Sequence, residues 1–150
     1  MNNRLMRNFW YVYLFTSLFV SVNIVKWVLA IVVGGYGLID GFINAFEYFT
    51  FDGYISNLGF RSIPYAILGL SVIFLKTENK AKIGIAWGGL SGIVIFIIWG
   101  YWMAQLPFYT NEHVSSTTAL AYIFIPIWAV VPGCISAIIG GIYTVYFRKK

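Results

Sequence analysis

Few residues in this chain are of types that do chemistry, and their spacing limits what each can do. Gly89-Leu90-Ser91-Gly92 sets a serine among small residues, but a serine nucleophile needs a general base within hydrogen-bond reach. The one histidine, His113, falls in a polar loop, so Ser91 is expected to be a small packing residue. Glu112 and His113 are adjacent and have no further candidate ligands around them, so neither a closed metal site nor a cofactor is expected. Cys134 is the single cysteine, lies inside an apolar stretch and cannot form an intrachain disulfide. Asn23 and Lys26 remain: they are three residues apart, share one face of a helix, and sit within an apolar run. A charge in such a run is by default a functional residue, which makes Asn23 and Lys26 a candidate polar site for a solute or ion. The alternative is that Lys26, roughly 26 Å along the helix from Phe9, snorkels to the outer boundary near Asp40, Glu47 or Asp52.

The elements that would carry these residues are set by hydrophobicity. The chain is 60% hydrophobic, 20% aromatic and only 10% charged, with a mean hydropathy of +0.80, more apolar surface than a soluble domain of this size can bury. The expected fold is all-α: a polytopic membrane protein with a four-transmembrane-helix bundle in one domain and an outer interfacial amphipathic helix between spans one and two. Span one is expected over Phe9–Val33, long enough to cross a hydrocarbon core of about 30 Å. Its basic start at Arg4 and Arg7 has the look of a signal peptide, but no small-x-small cleavage site follows, so the segment is expected to be retained.

After Gly34, Gly35 and Gly37, Ile39, Phe42, Ile43, Phe46 and Phe49 recur at helical spacing opposite Asp40, Asn44 and Glu47. That pattern predicts a helix lying in the membrane interface. Asp52-Gly53 predicts a turn and Asn57 and Gly59 a loosened chain. Span two then runs from about Phe60 to Leu75, with Ser62 and Pro64 as start signals and Arg61 snorkelling to the interface. Span three is expected from Ile83 to about Leu106, ended by Pro107. Span four runs from Thr117, capped by Ser115, Ser116 or Thr117, to Phe147, kinked rather than broken by Pro126 and Pro132.

Basic residues set the orientation. With the N-terminus inside, Arg4, Arg7, Lys76, Lys80, Lys82, Arg148, Lys149 and Lys150 fall on the cytoplasmic side and Arg61 alone outside. Both termini are therefore expected to be cytoplasmic, in a bacterial inner membrane. The net charge of +5 is then a match to anionic lipid rather than to nucleic acid, since no basic stretch outside a span is interleaved with stacking aromatics. Small residues recur every fourth position in two spans: Gly84, Gly88 and Gly92 in the third, and Ala129, Gly133, Ala137 and Gly141 in the fourth. Such rows let helix backbones approach closely, either within one chain or between chains.

Comparison with small membrane-protein families mostly excludes. The Gly89–Gly92 run resembles the nucleophile motif of rhomboid-type intramembrane proteases, which have more spans than the four expected here. Small multidrug exporters have a glutamate embedded in the first span, and quinone-linked thiol oxidases need cysteine pairs; neither feature is present. Dual-topology fluoride channels tend to lack a charge bias as strong as this one. The segment His113-Val-Ser-Ser-Thr-Thr-Ala-Leu-Ala-Tyr-Ile-Phe-Ile-Pro126 resembles one found in uncharacterised small bacterial four-span membrane proteins, a likeness that implies no activity. The expected function is a non-catalytic assembly or accessory subunit, packing against itself or a larger membrane partner within the lipid bilayer. An oligomeric channel or small-solute transporter is the alternative, motivated by Asn23, Lys26 and the proline discontinuities; a membrane enzyme acting on a lipid is the third reading.

Overall fold

The computed structural model describes residues 2–110 and 118–147; the Glu112–His113 loop, the expected cap of span four and the basic C-terminal residues Arg148–Lys150 lie outside them. All regular structure among the described residues is helical: α1 (Asn2–Phe19), α2 (Val22–Val32), α3 (Leu38–Phe46), α4 (Phe51–Phe74), α5 (Asn79–Gln105), α6 (Pro107–Thr110), α7 (Thr118–Trp128) and α8 (Val130–Tyr146). Three segments are long and apolar enough to cross a membrane: α4, α5 with α6, and α7 with α8. The bent pair α1 and α2 makes a fourth if it counts as one span.

The first expected span is not continuous. α1 and α2 meet at 75°, without a proline or glycine at the joint. Three local features weaken the helix there. Thr16 donates its hydroxyl to Val12 O at 2.8 Å and Ser17 to Leu14 O at 2.9 Å, the back-bonding that bends helices. Ser21 is extended (φ −116°, ψ 160°), and its Oγ accepts from Ile24 N, capping a new helix. The chain then turns through Gly35 at φ +69°, a conformation that only glycine adopts freely, and α3 folds back onto α2. That contact uses the small residues Gly41 and Ala45, which are buried, while Ile39, Phe42 and Ile43 of the expected apolar face point outward.

α4 also departs from the expected span two. The turn at Asp52-Gly53 and the loosening at Asn57 and Gly59 do not occur: one helix of 24 residues runs from Phe51 to Phe74, capped by Thr50, whose Oγ1 accepts from Gly53 N at 3.2 Å. Pro64 lies within it rather than at its start, and Ser62 donates to Gly59 O at 2.6 Å inside the helix. At the other end Lys82 reaches back across the short connection to Ile73 O.

α5 is the central post, touching α1, α2, α4, α7 and α8. Within its most apolar window 44% is buried, against 33% for α4 and 17% for the final span, so the core forms around one face after another of α5. Leu90, Ile93, Ile97 and Tyr101 meet Phe9 of α1, Val25 and Leu29 of α2 and Tyr65, Leu68 and Val72 of α4. The last span counts as one segment, Leu120–Tyr146: Ala129 interrupts the helix between Pro126 and Pro132, and its N–H is shared between Ile125 O (3.1 Å) and Pro126 O (3.2 Å). Phe9 beside Trp87, and Gly84 against Thr144, put the start of α1, the α4–α5 connection and the end of α8 at one end of the bundle. α3, α6 and the start of α4 lie at the other, where Tyr109 OH donates to Asn44 Oδ1 at 2.8 Å.

Candidate functional site

The joint between α1 and α2 frees backbone carbonyls in the middle of an apolar protein. In an unbroken helix the Leu18 and Val20 carbonyls would accept from residues four further on; here they face α4. Arg61 meets them. Its Nη2 donates to Leu18 O at 3.3 Å and its Nη1 to Val20 O, while Tyr54 OH donates to Leu18 O at 2.9 Å. Arg61 is fully buried, so the snorkelling expected from the sequence is overturned: the side chain turns inward because the break offers it acceptors. The carbonyls lie at the C-terminal end of α1, where the helix dipole is negative and a cation is stabilising. Every partner of the guanidinium among the described residues is neutral, the two carbonyls and the ring of Tyr54, 5.6 Å from Cζ. Nε has none. In broken helices that bind ions, free carbonyls at a half-helix C-terminus form a cation site. Here a tethered cation occupies that position.

A polar seam continues from Arg61 to α7. Pro126 has no N–H, which releases Tyr122 O from its helical partner, and Asn57 Nδ2 approaches that oxygen at 3.5 Å. Tyr101 OH lies 3.5 Å from Asn57 Oδ1, and Gln105 Nε2 donates to Tyr122 OH. Residues from α4, α5 and α7 are thus joined at one level of the bundle. The sequence pattern marks Asn57 only as a loosened point of the chain and gives no site role to Gln105 or Tyr122; the one available signal was Pro126, which predicts a free carbonyl at Tyr122 without saying what would meet it.

Beside this seam opens a cavity of about 310 Å³. Ser21 and Asn23 enter it from the start of α2, Thr50, Ser56 and Asn57 from the start of α4, and Tyr122 from α7; Tyr48, Phe49, Tyr54 and Phe60 add aromatic surface. Among the described residues none that lines it is an acid, a lysine or an arginine, and most of its surface is apolar. On the inner side of the α1–α2 elbow a second space, about 360 Å³, is lined by Phe15, Phe19, Val20, Ile24, Ile98 and Trp102 among other apolar groups.

Asn23 and Lys26 do not form one site. Asn23 lines the cavity beside the α1–α2 joint, whereas Lys26 turns to α3, and its Nζ donates to Asn44 O at 3.0 Å. The amine therefore caps the last turn of α3, and its hydrogen bond is to a backbone carbonyl rather than to Asp40, Glu47 or Asp52. The small residues lie at the α5–α8 contact. A Cβ on Gly84 would overlap Gly140 O, one on Gly88 would overlap Ser136 O, and one on Gly92 would come within 2.6 Å of Pro132 O. The backbone row of α8 that meets these glycines is Pro132, Ser136 and Gly140. Gly133 and Gly141 flank that row and receive the side chains of Ile93 and Ile85, Ala137 lies beside Gly89, and Ala129 is fully buried in the core. Ser91 donates to Gly88 O at 2.8 Å within its own helix. Among the described residues no three His, Cys, Asp or Glu side chains come together in a way that could hold a metal ion.

The fold and site define a class: among the described residues, an all-α chain with three to four candidate membrane spans around one central helix, carrying a broken helix pinned by a buried arginine beside a largely apolar cavity edged with a few hydroxyls and amides. No family model, curated protein or solved structure matches the chain.

Proposed function

We propose that the chain is a non-catalytic integral membrane protein that binds a small polar molecule, or the polar end of an amphiphile, in the cavity beside the α1–α2 joint. The observation that supports this reading most is the broken helix itself. Interrupting a helix in an apolar surround leaves carbonyls that cost several kcal/mol each unless satisfied, and burying an arginine to satisfy them carries its own desolvation cost. Discontinuous helices in membrane proteins characteristically line ligand sites, and here the break places Ser21 and Asn23 at a cavity that a continuous helix would not present to them. With the basic residues Arg4, Arg7, Lys76, Lys80 and Lys82 at one end of the bundle, the positive-inside rule puts that end in the cytoplasm and the cavity in the outer half of the bilayer.

The test is aqueous access. In a Cys134→Ala background, Ser56→Cys is expected to react with an impermeant thiol reagent from outside, and Ile95→Cys, on an exposed apolar face of α5, is not. An unreactive Ser56→Cys overturns the reading.

A second reading, assembly with itself or a larger membrane partner, is favoured by the last span. Its apolar window is only 17% buried, leaving Ile135, Ile138, Ile139 and Ile142 for lipid or for another helix. Both glycine-bearing faces are already engaged inside the chain, so such a contact would use these branched side chains. Crosslinking between copies through Ile138→Cys at native expression levels tests it, and its absence there counts against it.

A further inference from the structure

Two buried donors on consecutive turns of α4 have no acceptor, and we infer that Arg61 and Tyr65 hold a small monatomic anion, the chemistry of a halide, at the broken end of α1. Occupancy of this site does not depend on what fills the cavity beside it.

Both side chains face the same stretch of α1. Tyr13 OH donates to Tyr65 O at 2.7 Å, with the two rings edge to face at 5.6 Å, and one turn of α4 away Arg61 reaches Leu18 O and Val20 O. Arg61 is fully buried and Tyr65 is 2% exposed. The buried side-chain atoms that lack a hydrogen-bond partner among the described residues are Arg61 Nε and the Tyr65 hydroxyl. The guanidinium N–H can only donate, and the phenol O–H donates as well. Residues four apart on a helix stand about 5–6 Å from each other at Cβ, a separation that one acceptor bridges with two bonds of about 3 Å.

Charge decides the kind of acceptor. The partners of the guanidinium among the described residues are two neutral carbonyls and the Tyr54 ring, so none of them is a counter-ion. A water molecule would satisfy both donors and leave the buried charge in place, whereas an anion satisfies the donors and neutralises it. The carbonyls brought to this level, Leu18 O, Val20 O and Tyr65 O, each already accept a hydrogen bond, which lowers their repulsion of an anion. Burial then sets the size. Neither Arg61 nor Tyr65 lines the two cavities described above, and the fully buried Tyr101 packs in the same core, which leaves room for one monatomic ion at most and none for a phosphate or a lipid head. Asn57, one turn of α4 from Arg61, lines the larger-mouthed polar edge of the cavity beside the joint and marks the short way in from water.

The full chain in phosphatidylcholine nanodiscs, moved from sodium gluconate to sodium chloride at constant ionic strength, is expected to melt higher, by roughly 3–6 °C at about 100 mM chloride for a Kd of about 10 mM. The chloride NMR line should broaden in its presence. Tyr65→Phe keeps the ring and removes one donor, so chloride affinity should fall about tenfold, with melting in gluconate unchanged because the hydroxyl has no partner there to lose. Arg61→Met should abolish the response, and where that variant is too unstable to read, Tyr65→Phe decides alone. A melting temperature and a chloride line that are both indifferent to chloride overturn the site and assign the two donors to water. A response unchanged in Tyr65→Phe, or retained in Arg61→Met, puts the ion elsewhere and overturns it too. So does a Glu112→Gln protein that loses as much stability as Arg61→Met in a chain indifferent to chloride, since the counter-ion is then a carboxylate of the chain itself.

Discussion

Replacing Arg61 by methionine removes the charge while keeping an unbranched stem of similar volume, and the structure sets the size of the effect. Two hydrogen bonds from an ionised donor are lost, those to Leu18 O and Val20 O, each about 1.5–3 kcal/mol. Against them stands the desolvation of a fully buried guanidinium with no carboxylate partner, several kcal/mol that the variant no longer bears. These two effects largely cancel. What remains is the fate of the carbonyls: Leu18 O keeps the Tyr54 hydroxyl at 2.9 Å, but Val20 O loses its guanidinium donor, a cost of about 1–3 kcal/mol. The expected net loss is about 2 kcal/mol, or a melting temperature lower by about 4–8 °C for a chain of this size. Thermal unfolding in mild detergent, followed by circular dichroism, reads it. Tyr54→Phe, which removes one of two donors to the same oxygen, is expected to cost less, about 1 kcal/mol. The two changes act on one carbonyl and should not add. An Arg61→Met protein that melts with the parent, within about 0.5 kcal/mol, would refute the reasoning and show that the break holds without the guanidinium.

Gly88→Leu is expected to destabilise by more than the ~1–3 kcal/mol of ordinary overpacking, since the added atoms meet the backbone of Ser136 rather than a movable side chain; Gly59→Leu, with open space around its Cα, is the control for the same assay. Lys26→Met should cost about 1 kcal/mol and act locally, raising amide hydrogen exchange in α3 because Nζ caps Asn44 O, with the bundle's melting little changed. In the Cys134→Ala background, Asp52→Cys is expected to label from outside and Asn79→Cys only after permeabilisation; labelling of Asn79→Cys in intact cells would invert the topology.

Features set by short-range pattern were legible in the sequence. Hydropathy located the helical segments of the last two spans to within a few residues, and small residues at every fourth position marked helices that could approach closely, because both follow from side chains on one helix alone. The break in the first helix was not legible. It carries neither proline nor glycine, and its stabilisation comes from a side chain 41 residues away, so the local hydroxyls of Thr16, Ser17 and Ser21 read as incidental polar residues in an apolar run. Arg61 was misread for the matching reason. An arginine near the expected start of a span reads as interfacial unless acceptors are known to exist deeper, and those acceptors exist only because α1 ends at Phe19. Each half of the pair is uninformative without the other. The N-terminal extension of α4 was hidden by Gly53, Asn57 and Gly59, which weaken a helix in isolation; here Thr50 caps it and Asn57 approaches α7.

The shape of the first helix in a lipid bilayer decides whether the break and the cavity beside it exist. Spin labels placed singly at each position from Trp10 to Val32, read for oxygen and water accessibility, are expected to show one helical periodicity to Phe19, an interruption at Val20–Ser21, and a second periodicity in different phase from Val22, with the label at Asn23 open to water. A single unbroken periodicity from Trp10 to Val32, with Asn23 at hydrocarbon-like accessibility, would contradict the broken helix and the cavity beside it.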